Sequence, residues 1–261
     1  MKGGATLSIQ RVRSKWAKTK ALLKSESLAS HVPETVFWST ETLKNMLNEH
    51  GMVYIKPDQG TFGTGVIRSS KLSDSEFSYQ LGTKKHTFST FEGMAVSLSH
   101  VIGKRKYLIQ RGIHLLEYHK RRFDIRVMVQ KNPKNQWETT GIIGRLSHPE
   151  KIVTNYHSGG TLMSVGTLMS PHTTGSQYAE FQLGLKLLGT EIAKQLQGSY
   201  PGLKEIGIDI AVDRRLKPWV LEVNTLPDPY IFRKIGDSAV FRKIHRYCVH
   251  YGRFTRKKKR S

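Results

Sequence analysis

Three oxygen-bearing side chains stand out in the last third of the 261-residue chain: Asp209 within Ile206-Gly-Ile-Asp-Ile-Ala-Val212, and Glu222 and Asn224 within Val220-Leu-Glu-Val-Asn224. Both stretches read as short strands. Strand side chains repeat every second residue, so Glu222 and Asn224 share a face. If Arg214-Arg-Leu-Lys217 is the turn, Asp209 lies opposite Glu222. Two carboxylates and an amide on one face are hard oxygen ligands suited to magnesium, which usually completes its shell with phosphate oxygens and water. Taken singly, each is an ordinary polar strand residue; the set points to a metal.

A matching phosphate element lies far upstream. Met52-Val-Tyr-Ile-Lys56 reads as a strand running into Pro57-Asp-Gln-Gly-Thr-Phe-Gly-Thr-Gly65, after which Val66-Ile67-Arg68 resumes the strand. Gly60, Gly63 and Gly65 allow positive φ and a close backbone approach to phosphate, Thr61 and Phe62 lie between them, and Lys56 supplies a cation. No Gly-Lys-Ser/Thr closes the loop and a strand follows it, so it is not a Walker P-loop. By itself it reads equally as a phosphate cradle or as the glycine-rich tip of a hairpin.

The chain is long enough for one large domain or two lobes. Lys and Arg outnumber Asp and Glu by 42 to 20, a formal charge of +22 that predicts attraction to polyanions of several kinds: nucleotide phosphates, nucleic acid or acidic polymer. Much of the excess lies in Lys2 to Lys24 and in the basic tail Arg253-Phe-Thr-Arg-Lys-Lys-Lys-Arg260, which is either a solvated end or a contact for RNA or an acidic surface. No apolar run approaches a membrane span and the first residues lack a signal-peptide core, so the expected location is the cytoplasm. The single cysteine, Cys248, excludes an internal disulfide and a cysteine metal site and is expected in the core. The eleven histidines show no zinc spacing.

The elements that must position these residues alternate in type. Arg11 to Leu28 predicts an amphipathic helix with Val12, Trp16, Leu23 and Leu28 on its apolar side and Lys15 and Lys18 exposed. A connection through His31-Val-Pro-Glu-Thr35 leads to a helix containing Leu43, Met46 and Leu47 that ends near Gly51. Strand Glu76–Gln80 and helix Thr90–Ile102 complete a small α+β lobe. Lys106-Tyr-Leu-Ile-Gln110 is a buried strand leading into Arg111-Gly112-Ile113, a hinge against which adenine could lie. Phe123 to Gln130 alternates, which sets Asp124, Arg126 and Met128 on one face. Trp137 to Leu146 pairs with it and ends in Gly144-Arg145; Val153 to Gly160 is a loop. Phe181, Leu185, Leu188, Ile192 and Leu196 mark the clearest long helix, and Val240 to Tyr251 the last, with Asp237 as its cap.

The ordered set Lys56 with its glycine loop, Gln110 to Ile113, Asp124-Ile-Arg126, Arg145, Asn155, Asp209 and Glu222-Val-Asn224 resembles the ATP-grasp superfamily. Ser14-Lys-Trp16, His31-Val-Pro-Glu-Thr35, Lys56-Pro-Asp58, Phe123-Asp-Ile-Arg126, Val153-Thr-Asn155 and Glu222-Val-Asn-Thr225 narrow the likeness to the YheC/YheD group of endospore coat-associated proteins, over about Lys15 to Tyr247. The resemblance implies an α+β ATP-grasp fold in residues 1–252. Residues about 30–112 would form a small ATP-lid lobe and 113–252 a larger metal and catalytic lobe, with the N-terminal helix nearby and 253–261 as tail. Many ATP-grasp ligases carry a domain ahead of the first lysine, whereas this sequence begins almost at it; the expected fold lacks most of that domain.

By the same resemblance, Lys15 and Lys56 reach the phosphates of ATP, Gly60 to Gly65 folds over them, and Gln110, Arg111, Gly112 and Ile113 form the hinge. Asp209, Glu222 and Asn224 bind one or two Mg2+, and Arg126 and Arg145 face the reacting phosphoryl and carboxyl groups. The implied reaction is ATP-dependent joining of a carboxylate to an amine or related nucleophile through an acyl phosphate, with an acidic small molecule or peptide as substrate and spore-coat components as partners. Each arginine could instead hold a structural ion pair, Gln110 could bond within the core, and His157 could touch substrate or sit on the surface. Two other classes stay open: a non-catalytic nucleotide-binding coat or assembly protein, and a basic nucleic-acid-binding protein, although no RNP-type strand or zinc finger is present.

Overall fold

Two antiparallel sheets, each with its own core, organise the chain in a computed structural model that describes residues 8–255 apart from 62 and 237. The first sheet has the order β1-β6-β2-β3-β4-β5, from β1 (Thr35–Phe37), β2 (Met52–Pro57), β3 (Ile67–Ser73), β4 (Glu76–Leu81), β5 (Lys84–Phe88) and β6 (Tyr107–Arg111). Helices α3 (Thr40–His50) and α4 (Phe91–Ile102) cover it, with Leu43, Leu47, Met94 and Leu98 packed on Val53, Ile55, Ile67 and Ile109. Capping sets the limits of α3: Ser39 and Thr42 form a reciprocal capping box, and Gly51 closes the helix at φ +70°.

The second sheet runs β10-β9-β8-β11-β12, with β7 (Glu117–Tyr118) paired to β8. Its strands are β8 (Arg121–Lys131), β9 (Trp137–Leu146), β10 (Thr161–Met163), β11 (Glu205–Val212) and β12 (Pro218–Asn224). The alternation predicted for β8 holds. Ile125, Val127 and Val129 enter a core shared with α5 (Val165–Met169) and the long helix α6 (Gly175–Ser199), while Met128 on the opposite face joins Phe232 and Ile244, the latter from α7 (Ser238–His250). A fully buried aliphatic side chain stabilises by about 1.5–3 kcal/mol, so each sheet has an independent reason to persist. Cys248 is fully buried, as expected. The predicted cap Asp237 and most of the basic tail lie outside the described residues.

The N-terminal helix differs from expectation in length and in face. It is α1 (Lys15–Leu22), followed after a turn by α2 (Glu26–Ala29). Lys15 and Lys18 are buried, at 7% and 4% exposure, not exposed, and Leu23 points outward at 43%. Only Ala21 and Leu22 of α1 enter the core beneath α6. The apolar spacing misled because this helix turns its buried charged face toward a polar cavity, so charge did not mark its solvent side. Strands β1, β5 and β10 were also unforeseen: each is three to five residues long and too short for a periodic signal.

Asp209 does stand opposite Glu222, and Gly207 opposite Asn224. The turn, however, occupies residues 213–217, one residue longer than predicted, so Val212 pairs with Pro218 and Ile210 with Val220. Continued without a break, that register would set Asp209 opposite Leu221. A β-bulge inserts Leu221 and restores the alignment of the two carboxylates.

Candidate active site

A cavity of about 930 Å3 lies between the two sheets and receives residues from both. Its wall is made by the predicted residues Lys15, Lys56, Gly60, Thr61, Gly63, Gln110, Ile113, Arg126, Arg145, Asp209, Glu222 and Asn224. Phe62 lies outside the described residues. Gly65, at φ +74°, sits behind the loop, where a Cβ would come within 2.8 Å of the Tyr107 hydroxyl. Arg111 and Gly112 do not line the cavity: Arg111 stacks over Trp219, and Gly112 exists for packing, since a Cβ there would lie 2.8 Å from the Met52 carbonyl oxygen.

The first charged group on the wall is a set of lysines. Lys56 Nζ donates to Gln110 Oε1 and to the carbonyl of the bulge residue Leu221, each at 2.8 Å. Gln110 in turn donates to Thr35 Oγ1 at 3.1 Å, so its amide is committed to holding Lys56. Lys15 Nζ donates to the Gly60 carbonyl at 3.1 Å and stands 3.6 Å from Glu222 Oε1. Lys18 Nζ donates to the Val12 carbonyl at 3.0 Å. Burial lowers the pKa of Lys56 to about 8, against the attraction of Glu222, and does the same for Lys18. Nearby Lys15 adds to both shifts. The lysine set is short of negative charge.

The second group is balanced. Arg145 makes a bidentate pair with Asp124, Nε to Oδ1 at 2.8 Å and Nη2 to Oδ2 at 2.5 Å, and reaches Asp209 Oδ2 at 3.0 Å. Arg126 Nε donates to Asp209 Oδ1 at 2.5 Å. Burial disfavours charge on Asp209 and on Arg145. The paired charges outweigh it, holding the Asp209 carboxyl well below its ordinary range and raising the Arg145 guanidinium above its own. These pairs leave Nη1 of Arg145 and both terminal nitrogens of Arg126 without a hydrogen bond among the described residues, and both side chains border the cavity.

Loop residues 60–65 keep the positive φ expected of their glycines: +149° at Gly60 and +74° at Gly63 and Gly65. At Gly63 an added Cβ would lie 2.9 Å from Asn155 Oδ1, so the loop presses backbone against the second lobe. Asp58 anchors it at its other end. One carboxylate oxygen accepts from Ser14 Oγ at 2.9 Å and from the Trp16 amide at 2.8 Å, and the Asp58 carbonyl accepts from the Lys15 amide at 2.9 Å. This anion at the helix start ties α1 to the loop. Sequence reasoning gave neither Asp58 nor Asp124 a role, although both sit in the motifs that carried the resemblance. Arg11 and Arg253, from near the two ends of the chain, also reach the cavity and were missed.

The donor set suits a metal-bound polyphosphate. Three ammonium groups, a backbone loop, two carboxylates and an amide oxygen border one cavity, with Lys15 3.6 Å from Glu222. Asn224 Oδ1 accepts from the Leu226 amide at 2.8 Å, which fixes the amide and leaves its second lone pair open.

Two antiparallel α+β lobes around a cavity with this loop, these lysines and this acidic strand pair define an ATP-grasp protein. The YheC/D-like ATP-grasp family matches residues 6–254, and the chain belongs to that family. It is similar to the endospore coat-associated protein YheD of Bacillus subtilis (strain 168), 28% identical over 226 residues that cover 84% of this chain and 49% of the relative. It is also similar to the endospore coat-associated protein YheC of the same organism, 23% identical over 218 residues, 82% of this chain and 59% of the relative. The chain thus spans half to three-fifths of the length of these relatives. Members of the ATP-grasp class in general bind ATP with Mg2+. No helix among the described residues is long and apolar enough to cross a membrane.

Proposed function

We propose that this chain binds ATP with one or two Mg2+ in the interlobe cavity and acts as an ATP-dependent carboxylate-amine, or related, ligase. One observation carries the reading: an anion-poor lysine set and a paired acidic strand face border the same cavity as two arginines with unused N–H groups. Lys15, Lys56 and the backbone at Gly60, Thr61, Gly63 and Thr64 hold the phosphates. Ile113 meets the base, while Gln110 acts through Lys56. Asp209, Glu222 and Asn224 hold magnesium, which when bound supplies positive charge to the phosphate oxygens.

The physical difficulty is that an anionic carboxylate must approach an anionic phosphoryl group. Lys56 and the free edges of Arg126 and Arg145 offset that repulsion where the charge develops. A carboxylate oxygen attacks the γ-phosphorus, and the bond to ADP breaks. The amine then attacks the acyl carbon, and phosphate leaves with the proton that the nitrogen gives up. Asp124 and Asp209 keep the arginines aimed. No protein nucleophile is required.

Acidic small molecules or peptides fit this chemistry, and the names of the YheD and YheC relatives suggest spore-coat components as partners. Those names equally favour a nucleotide-binding assembly protein without turnover, whereas the +22 charge leaves room for nucleic acid at the basic ends. Screening acidic metabolites and peptides for stimulated ADP release, with mass analysis of products, separates these readings. A ligase gives carboxylate-dependent ADP that Glu222→Gln and Asn224→Ala reduce. ATP binding with no ADP from any carboxylate would favour the assembly protein.

A further inference from the structure

At the end of the cavity beyond Asn224, two arginines from near opposite ends of the chain converge on one buried carboxylate. Arg11 Nη2 bonds Glu205 Oε1 and Arg253 Nη1 bonds Glu205 Oε2, each at 2.7 Å; Glu205 is fully buried and Tyr251 also donates to it at 2.7 Å. Each guanidinium additionally donates to a carbonyl of the strand-end loop, Arg11 to Thr225 and Arg253 to Pro227. Arg13 borders the same cavity, is exposed, and has no ion pair or hydrogen bond among the described residues.

A structural clamp explains part of this arrangement, because it fastens both ends of the chain to β11. One carboxylate, however, balances one guanidinium. The cluster carries a surplus charge from the Arg11–Glu205–Arg253 triplet and another from Arg13, in contrast to the neutral arginine and aspartate quartet on β8, β9 and β11. Two partly buried guanidiniums that share one carboxylate leave positive charge undercompensated, and an incoming anion would offset it. Asp228, which also lines the cavity, stands 3.5 Å from His157 Nε2.

We propose that Arg11, Arg13 and Arg253 form a second anion subsite that takes a carboxylate of the substrate, distinct from the carboxylate presented to Arg126 and Arg145. Its ligand therefore carries at least two carboxylates, as a dicarboxylic amino acid or a run of acidic residues does. The assignment rests on the ligase reading for the identity of the reacting group, but the subsite binds its anion independently of ATP.

Binding of a fluorescent hexaglutamate and of free L-glutamate to the full chain, at physiological salt and without nucleotide, tests it. Arg13→Gln, which breaks no contact, should weaken hexaglutamate binding about tenfold, as the loss of a charged hydrogen bond does. Arg253→Gln, which leaves Arg11 on Glu205, should act in the same direction. Both variants should keep ATP affinity. Lys84→Gln with Lys85→Gln, on the exposed β5 edge, should change neither. Competition by free L-glutamate at the same subsite assigns a small dicarboxylate; its failure beside tight hexaglutamate binding assigns an acidic peptide. Absence of hexaglutamate binding, an unchanged Arg13→Gln affinity, equal loss in the β5 control, or equal capture of a uridine hexanucleotide would overturn the subsite. Loss of ATP binding alone would count against the ligase reading and leave this result standing.

Discussion

The two charged groups that border the cavity are built on opposite principles. On β8, β9 and β11, Asp124, Arg145, Asp209 and Arg126 neutralise one another, with every carboxylate oxygen within 3.0 Å of a guanidinium nitrogen. In the other group, Lys15, Lys18 and Lys56 share Glu222 of β12, and burial holds Lys18 and Lys56 near pKa 8. The quartet is a finished structural unit whose spare N–H groups come at no cost in alignment. The lysines are charges kept buried at some expense. Position and charge supply are thus divided between two sets of residues.

Breaking the quartet should give the largest effect. Arg145→Ala leaves Asp124 without its partner in a buried setting and Asp209 with one arginine, and should lower the unfolding free energy by about 3–5 kcal/mol in urea titrations. Lys56→Met should cost no more than about 1 kcal/mol in the same titration, because it removes a desolvated charge and leaves Gln110 Oε1 and the Leu221 carbonyl facing a cavity that water can enter. Equal losses in the two variants would erase the distinction. An intermediate effect belongs to Gly63→Ala, which forces a Cβ into φ +74° and against Asn155, at about 1–2 kcal/mol of strain; it should loosen the contact between loop and second lobe and weaken ATP binding without abolishing it.

Titration sharpens the same contrast. Because Lys56 and Lys18 have folded pKa values of about 8 against an ordinary 10.5, the unfolded chain binds more protons between those limits. Stability of the ligand-free protein therefore gains a contribution that grows as pH rises from about 8 to 10.5. ATP affinity should move the other way over the start of that window, since the ammonium groups that hold phosphate are then lost, and binding near pH 8 should take up protons. Calorimetry in buffers of different ionisation enthalpy reads this uptake; proton release or no exchange would contradict it.

Much of this site was legible in the chain because its strands are long and regular. β8 announces its faces by strict alternation, which sets Asp124, Arg126 and Met128 opposite Ile125, Val127 and Val129 of the core; the place of Arg126 and Arg145 at the site came from the family resemblance, since β9 does not alternate. The opposition of Asp209 and Glu222 was correctly read, although from a four-residue turn; the real turn has five residues and a bulge at Leu221 absorbs the difference. A bulge leaves little mark in a sequence.

What stayed hidden depends on partners distant along the chain. Lys15 and Lys18 look solvent-facing until β12 is known to lie under them. Gln110 looks like a base contact until Lys56 stands 2.8 Å away. The Arg11–Glu205–Arg253 triplet joins residues separated by most of the chain, and Glu205 gives no local hint of being fully buried. The cation at position 56 is marked in the chain by the glycine loop that follows it; the buried acid at Glu205 has no such marker.

A magnesium-bound triphosphate in this cavity, held by the lysines beside the quartet, is what remains to be measured. Isothermal titration of ATP with excess Mg2+ into the intact chain and into Lys56→Met measures it directly. One site per chain in the parent protein and at least about a tenfold weaker site in the variant, with unfolding midpoints nearly matched, is the predicted result. Equal affinity in the two proteins, or no saturable binding in either, would contradict the central claim.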